Sequence, residues 1–160
     1  MRLTRSTFVV LILAGISAWA ADRPNFSGTW EMNKGQCDFG QMPAQMLPDK
    51  LTQKITQKGE TEVRAEATTV GARGNTSTDM KYKLDGSEST NKNQMGEVKS
   101  NAKWDGNAIA ITSKREVQGM SITISERWEM SGDGKTLTVS RTIVGGPAGD
   151  IVTKLVFDKQ

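Results

Sequence analysis

Three charged side chains stand where the hydropathy pattern asks for apolar ones: Arg115, Glu126 and Arg141. Glu126 lies between Ile124 and Trp128, Arg141 between Val139 and Ile143, and Arg115 between Ser113 and Val117, each two residues from its neighbours. A charge on an apolar face is costly unless it is paired or hydrogen-bonded. Two chemistries would justify it. The groups can neutralise one another as a structural ion pair, or a guanidinium can hold an acidic group, because its planar fork grips a carboxylate or phosphate through two hydrogen bonds. Neither use is catalysis.

Other chemistries are poorly served by this composition. The chain has no His, which removes His-based triads and His metal sites. Its single Cys, Cys37, excludes an intrachain disulfide and leaves a free thiol, an intermolecular bridge or a small buried hydrophobe. We find no phosphate-cradling glycine loop, no Gly-x-Ser-x-Gly elbow and no cluster of metal ligands. Paired catalytic carboxylates remain open, but no spacing points to them. The expectation is a protein that is not an enzyme and carries no cofactor or metal.

The N-terminus reads as a cleavable leader over residues 1–20. Met1, Arg2 and Arg5 make a positive start, residues 8–16 (FVVLILAGI) an apolar core, and Ala18-Trp19-Ala20 a small-x-small cleavage pattern. Cleavage is expected after Ala20, or after Ala21. The apolar run is shorter than the about 20 residues that span a bilayer, and no Cys stands at the cleavage site, so no membrane anchor is expected. Residues 21–160 then form a single domain. Losing Arg2 and Arg5 leaves 19 basic against 18 acidic residues, a net charge of +1 rather than +3, which offers no footprint for nucleic acid.

The elements that must position the three charges are strands. Beyond residue 50 the apolar period is two, broken by Asp105-Gly106, Gln118-Gly119, Asp133-Gly134 and Gly145-Gly146-Pro147. Strands are predicted near 97–104, 107–117, 120–131, 136–144 and 150–158, with others near 26–33, 50–57, 61–70, 76–85 and 87–94. Residues 36–49, with Pro43 and Pro48, are expected to be a loop holding at most one helical turn.

Short turns also set a register. Asp133-Gly134 opposes Met130 to Leu137, Trp128 to Val139, Ile124 to Ile143, and Glu126 to Arg141. The last turn opposes Val139 to Leu155 and places Thr153 beside Arg141. Gln118-Gly119 opposes Ile109 to Trp128 and Ile111 to Glu126. Three independent turns set apolar against apolar, and a one-residue slip would destroy the agreement. Long strands in up-and-down order suit an all-β antiparallel barrel of about 8–10 strands, because closure removes exposed edges.

Asn25-Phe26-Ser27-Gly28-Thr29-Trp30 opens the first strand. It resembles the Gly-x-Trp opening of lipocalins and the Phe-x-Gly-x-Trp opening of fatty-acid-binding proteins. The chain as a whole also looks like a group of secreted bacterial proteins with lipocalin-like folds, through Lys103-Trp104-Asp105-Gly106 and residues 133–138 (DGKTLT). The resemblance implies a lipocalin-like, calycin-type barrel in which Gly28 lets the chain pass close under the barrel and Trp30 plugs its end. It also implies that Arg141 or Arg115 takes a ligand's acid, as interior arginines do in fatty-acid-binding proteins. Two features depart from those families. Thr78-Asp79 precedes Met80 where lipocalins carry Tyr, and residues 36–49 are too short for a pair of lid helices.

The reading is an exported protein, secreted or periplasmic, that binds a small apolar ligand with an acidic head. Arg115, Glu126, Arg141, Trp128 and Thr153 are the candidate ligand-binding residues, with Gly28 and Trp30 structural. The competing reading of Arg141 is a structural pair with Glu126, or stacking on Trp30. Two alternative functions stand beside the carrier. One is a filled barrel acting through its surface, as an envelope interaction module or an inhibitor of an exported enzyme. The other is an outer-membrane barrel with its apolar face outward, which would set Glu126 and Arg141 against lipid.

Overall fold

Alternating side chains and glycine-centred turns fold this chain into one strand ladder. The structure, a computed structural model, describes residues 23–94 and 96–160. The leader predicted over 1–20 lies outside the described residues. Ten antiparallel strands follow one another: β1 (Gly28–Met32), β2 (Pro48–Lys58), β3 (Glu62–Gly71), β4 (Gly74–Lys83), β5 (Asp85–Asn93), β6 (Gly96–Asp105), β7 (Ala108–Val117), β8 (Met120–Met130), β9 (Thr136–Val144) and β10 (Ile151–Lys159). All ten coincide with predicted segments to within a few residues.

The register is the predicted one. Met130 pairs with Leu137, Trp128 with Val139, Glu126 with Arg141 and Ile124 with Ile143 across β8 and β9. Thr153 pairs with Arg141, Leu155 with Val139 and Phe157 with Leu137 across β9 and β10. Ile109 pairs with Trp128 and Ile111 with Glu126 across β7 and β8. Apolar faces point inward: Trp30, Ile55, Val63, Ile109, Leu137 and Phe157 are fully buried. Burying side chains of this size contributes about 1.5–3 kcal/mol each. Because the apolar face is the inner one, the inverted arrangement with that face toward lipid does not describe this fold. Among the described residues, no helix is long and apolar enough to cross a membrane.

The barrel is nearly closed. Sheet order runs β4-β3-β2-β1-β10-β9-β8-β7-β6-β5, so the sequence neighbours β4 and β5 are its two ends. Side chains of β5 stitch this seam. The Lys81 amide donates to Asn91 Oδ1 at 2.8 Å, and Asn91 Nδ2 donates back to the Lys81 carbonyl at 3.0 Å. The Lys83 amide donates to Ser89 Oγ at 3.0 Å. Asn91 and Ser89 are both buried. Their side chains supply bonds that a ladder would take from the backbone, so the edge of β4 is satisfied here without strand pairing.

Between β1 and β2 the connection carries two 3-10 turns of three residues each: Ala44–Met46 within the expected loop 36–49, and Lys34–Gln36 at its leading edge. Asp38 exchanges two backbone hydrogen bonds with Lys154, at 2.8 and 2.7 Å, which ties this segment to β10. Cys37 packs half-buried against the core, and its thiol accepts from the Val156 amide at 3.2 Å. Burial raises the Cys37 thiol above its ordinary pKa.

Candidate functional site

One end of the barrel is filled with aromatic rings. Trp30 is fully buried and its Nε1 donates to the Phe26 carbonyl at 3.0 Å. Phe26 lies 6.1 Å from Trp104 and 6.5 Å from Trp128, ring centre to ring centre. Tyr82 meets Trp128 edge-on at 6.2 Å. Trp104 Nε1 donates to the Glu60 carbonyl, and Arg23 lies 5.0 Å over its ring. Such pairs add about 0.5–1.5 kcal/mol beyond burial. Gly28 has a φ of +149°, and a Cβ there would stand 2.8 Å from Lys159 Cε. Lys159, not an arginine, lies 5.2 Å over the Trp30 ring.

Beyond the plug the interior is hollow. A cavity of about 300 Å³ is lined by apolar side chains that include Leu51, Met80, Val98, Ile124 and Ile143. That is the lower end of the usual range for small-molecule sites, about 300–1,000 Å³. Arg115, Glu126 and Arg141 line the same cavity. Alternation along β7, β8 and β9 turns all three inward. Arg141 Nε donates to Glu126 Oε1 at 2.6 Å, and the pair's side chains keep 29% and 12% exposure. Trp128 Nε1 donates to the other oxygen, Glu126 Oε2, at 3.2 Å. Burial pushes the Arg115 guanidinium below its ordinary pKa, and the Arg141 charge adds to the effect. A nearby anion would offset both causes, since it favours the charged guanidinium.

Of the five candidate ligand residues, three therefore meet in one cavity and two do not line it. Trp128 is buried in the aromatic plug and serves as a donor to Glu126. Thr153 is buried beside Arg141 in register, and its Oγ1 has no hydrogen-bond partner. Two buried serines on the same inner face, Ser100 and Ser113, bond each other at 2.8 Å. Six polar wall residues were missed: Gln53, Thr69, Thr76, Thr78, Tyr82 and Asn93. Gln53 carried a legible signal, since it interrupts the inward series Leu51, Gln53, Ile55 just as Glu126 interrupts its own. Burial, and then the Glu126 charge, push the Tyr82 phenol far above its ordinary pKa.

Among the described residues no group of His, Cys, Asp and Glu is placed to hold a metal ion. No protein-family model and no curated protein matches this chain. Solved structures do resemble it. A secretory abundant heat soluble protein from Ramazzottius varieornatus superposes with a TM-score of 0.60 at 19% identity, covering 84% of this chain and 94% of the other. A second such protein from that organism, number 4, covers 90% and 99% at 18% identity with a TM-score of 0.53. The wild-type fluorescent protein UnaG covers 84% and 97% at 20% identity with a TM-score of 0.55. At these identities the likeness is one of fold, that of an all-β antiparallel barrel.

Proposed function

We propose that this chain is an exported, non-enzymatic carrier of a small, mostly apolar molecule with an acidic head group. The observation that carries this reading is one cavity whose apolar wall also holds Arg115, Arg141 and Glu126. Two guanidiniums against one carboxylate leave a net positive wall, which suits a monoanion. Arg141 is held by Glu126 through Oε1, and this pairing orients its fork toward the cavity while limiting the cost of its burial. The leader pattern over residues 1–20 supports export to the periplasm or medium. The barrel is hollow where a filled core would have favoured a module acting through its surface.

Native mass spectrometry of the mature protein, purified gently from its own host, tests the carrier. The expected result is a stoichiometric companion on the order of a few hundred daltons, the size such a cavity encloses, which Arg141→Ala loses. A clean apo mass, persisting after exposure to envelope lipid extract, would overturn the carrier and turn the search to protein partners of the outer surface.

A further inference from the structure

The wall facing the arginines holds a donor that the protein itself leaves unused. Gln53 lies on β2, at an inward position between Leu51 and Ile55, and lines the cavity. The residue is 8% exposed, and its Nε2 is shielded from water with no hydrogen-bond partner. In sheet order β2 stands five strands from β7, so Gln53 and Arg115 occupy opposite walls of the ten-stranded barrel. A buried amide without a partner is penalised in the empty protein, and that penalty is relieved when an acceptor arrives.

Resting on the carrier reading above, we infer that Gln53 is a second polar contact for the ligand. The ligand class is then an amphiphilic monocarboxylate whose apolar body carries an acceptor oxygen (a keto, ether or hydroxyl group) away from the acid. The carboxylate is taken by the Arg115 and Arg141 wall, and the body oxygen accepts from the Gln53 amide. A plain saturated chain fills the same space but leaves the amide unpaired. Discrimination by an unpaired buried group is stronger than discrimination by shape alone.

The test uses two probes, dodecanoate and its mid-chain oxo derivative, titrated into wild type, Gln53→Met and Arg141→Ala, with thermal melts of each. Wild type is expected to bind the oxo derivative about tenfold more tightly, as one hydrogen bond of ordinary strength would give. Gln53→Met should abolish or reverse that preference and melt no lower than wild type, because an apolar side chain of similar shape removes an unpaired donor. Arg141→Ala should weaken both probes alike. Equal binding of the two probes by wild type, or a preference that survives Gln53→Met, overturns the role of Gln53 and leaves the carrier standing. A melting temperature of Gln53→Met several degrees below wild type also overturns it, by showing that the amide is already satisfied in the fold. Binding of neither probe by wild type overturns the carrier reading, and this one with it.

Discussion

Glu126 and Arg141 face each other across β8 and β9, and a single carboxylate oxygen, Glu126 Oε1, lies 2.6 Å from both Nε and a terminal nitrogen of Arg141. The other oxygen accepts from Trp128. Glu126 thus joins the cavity wall to the aromatic plug. It lets a cation line an apolar chamber without destabilising the barrel.

Glu126→Ala should therefore lower stability. Breaking a fully buried pair costs about 3–5 kcal/mol. Arg141 keeps 29% of its side chain exposed, and water at that site reduces the expected loss to about 1–3 kcal/mol. Chemical denaturation of the single and double variants with Arg141→Met measures the coupling. An unchanged unfolding midpoint for Glu126→Ala would show that the pair contributes nothing to the fold.

Asn91→Ala should open the seam between β4 and β5. The side chain answers both backbone groups of Lys81, at 2.8 and 3.0 Å, and its loss strands them at a shielded edge. The expected cost is about 1–3 kcal/mol. Amide exchange at Lys81 should accelerate while exchange in β8 and β9 stays slow. Exchange at Lys81 as slow as in wild type would mean that β5 closes the edge by other contacts.

Tyr82 is the sole tyrosine, so its titration is observed without overlap from other phenols. Its pKa is raised above the ordinary 10.0, by burial first and by the Glu126 charge second. A phenol whose folded-state value exceeds its unfolded value stabilises the fold fully below the unfolded value. That contribution falls as pH rises from there toward the folded value. Ultraviolet titration should show no phenolate near pH 10 in the native protein, followed by ionisation together with alkaline unfolding. Ionisation near pH 10 with the fold intact would place Tyr82 in contact with water.

Cys37 should be a slow nucleophile. Burial raises its pKa, so little thiolate forms at neutral pH, and the sulfur already accepts from the Val156 amide. Alkylation should be much slower in the native than in the urea-unfolded protein and should speed up with pH. Equal rates in the two states would mean that the segment beside β10 leaves the core readily.

The ladder was legible in the sequence because its determinants are local. Turns at Gln118-Gly119 and Asp133-Gly134 join adjacent strands, so a period of two and a short connection suffice to oppose Glu126 to Arg141 and Trp128 to Val139. The opening motif likewise announced Trp30 as a plug, since Gly28 and Trp30 act within one strand end. The cavity was not legible in that way. Whether an inward residue fills a core or lines a hollow depends on how much volume all ten strands bring to the same level of the barrel, which no pair of neighbouring strands determines. That is why Trp128 and Thr153, inward like Arg141, belong to the packed interior, whereas Gln53, from the other half of the chain, reaches the hollow. The seam is a tertiary outcome too. A strand is predicted near 87–94, but only closure of the whole sheet leaves β4 and β5 as its ends and sends Asn91 to bond backbone in place of a ladder.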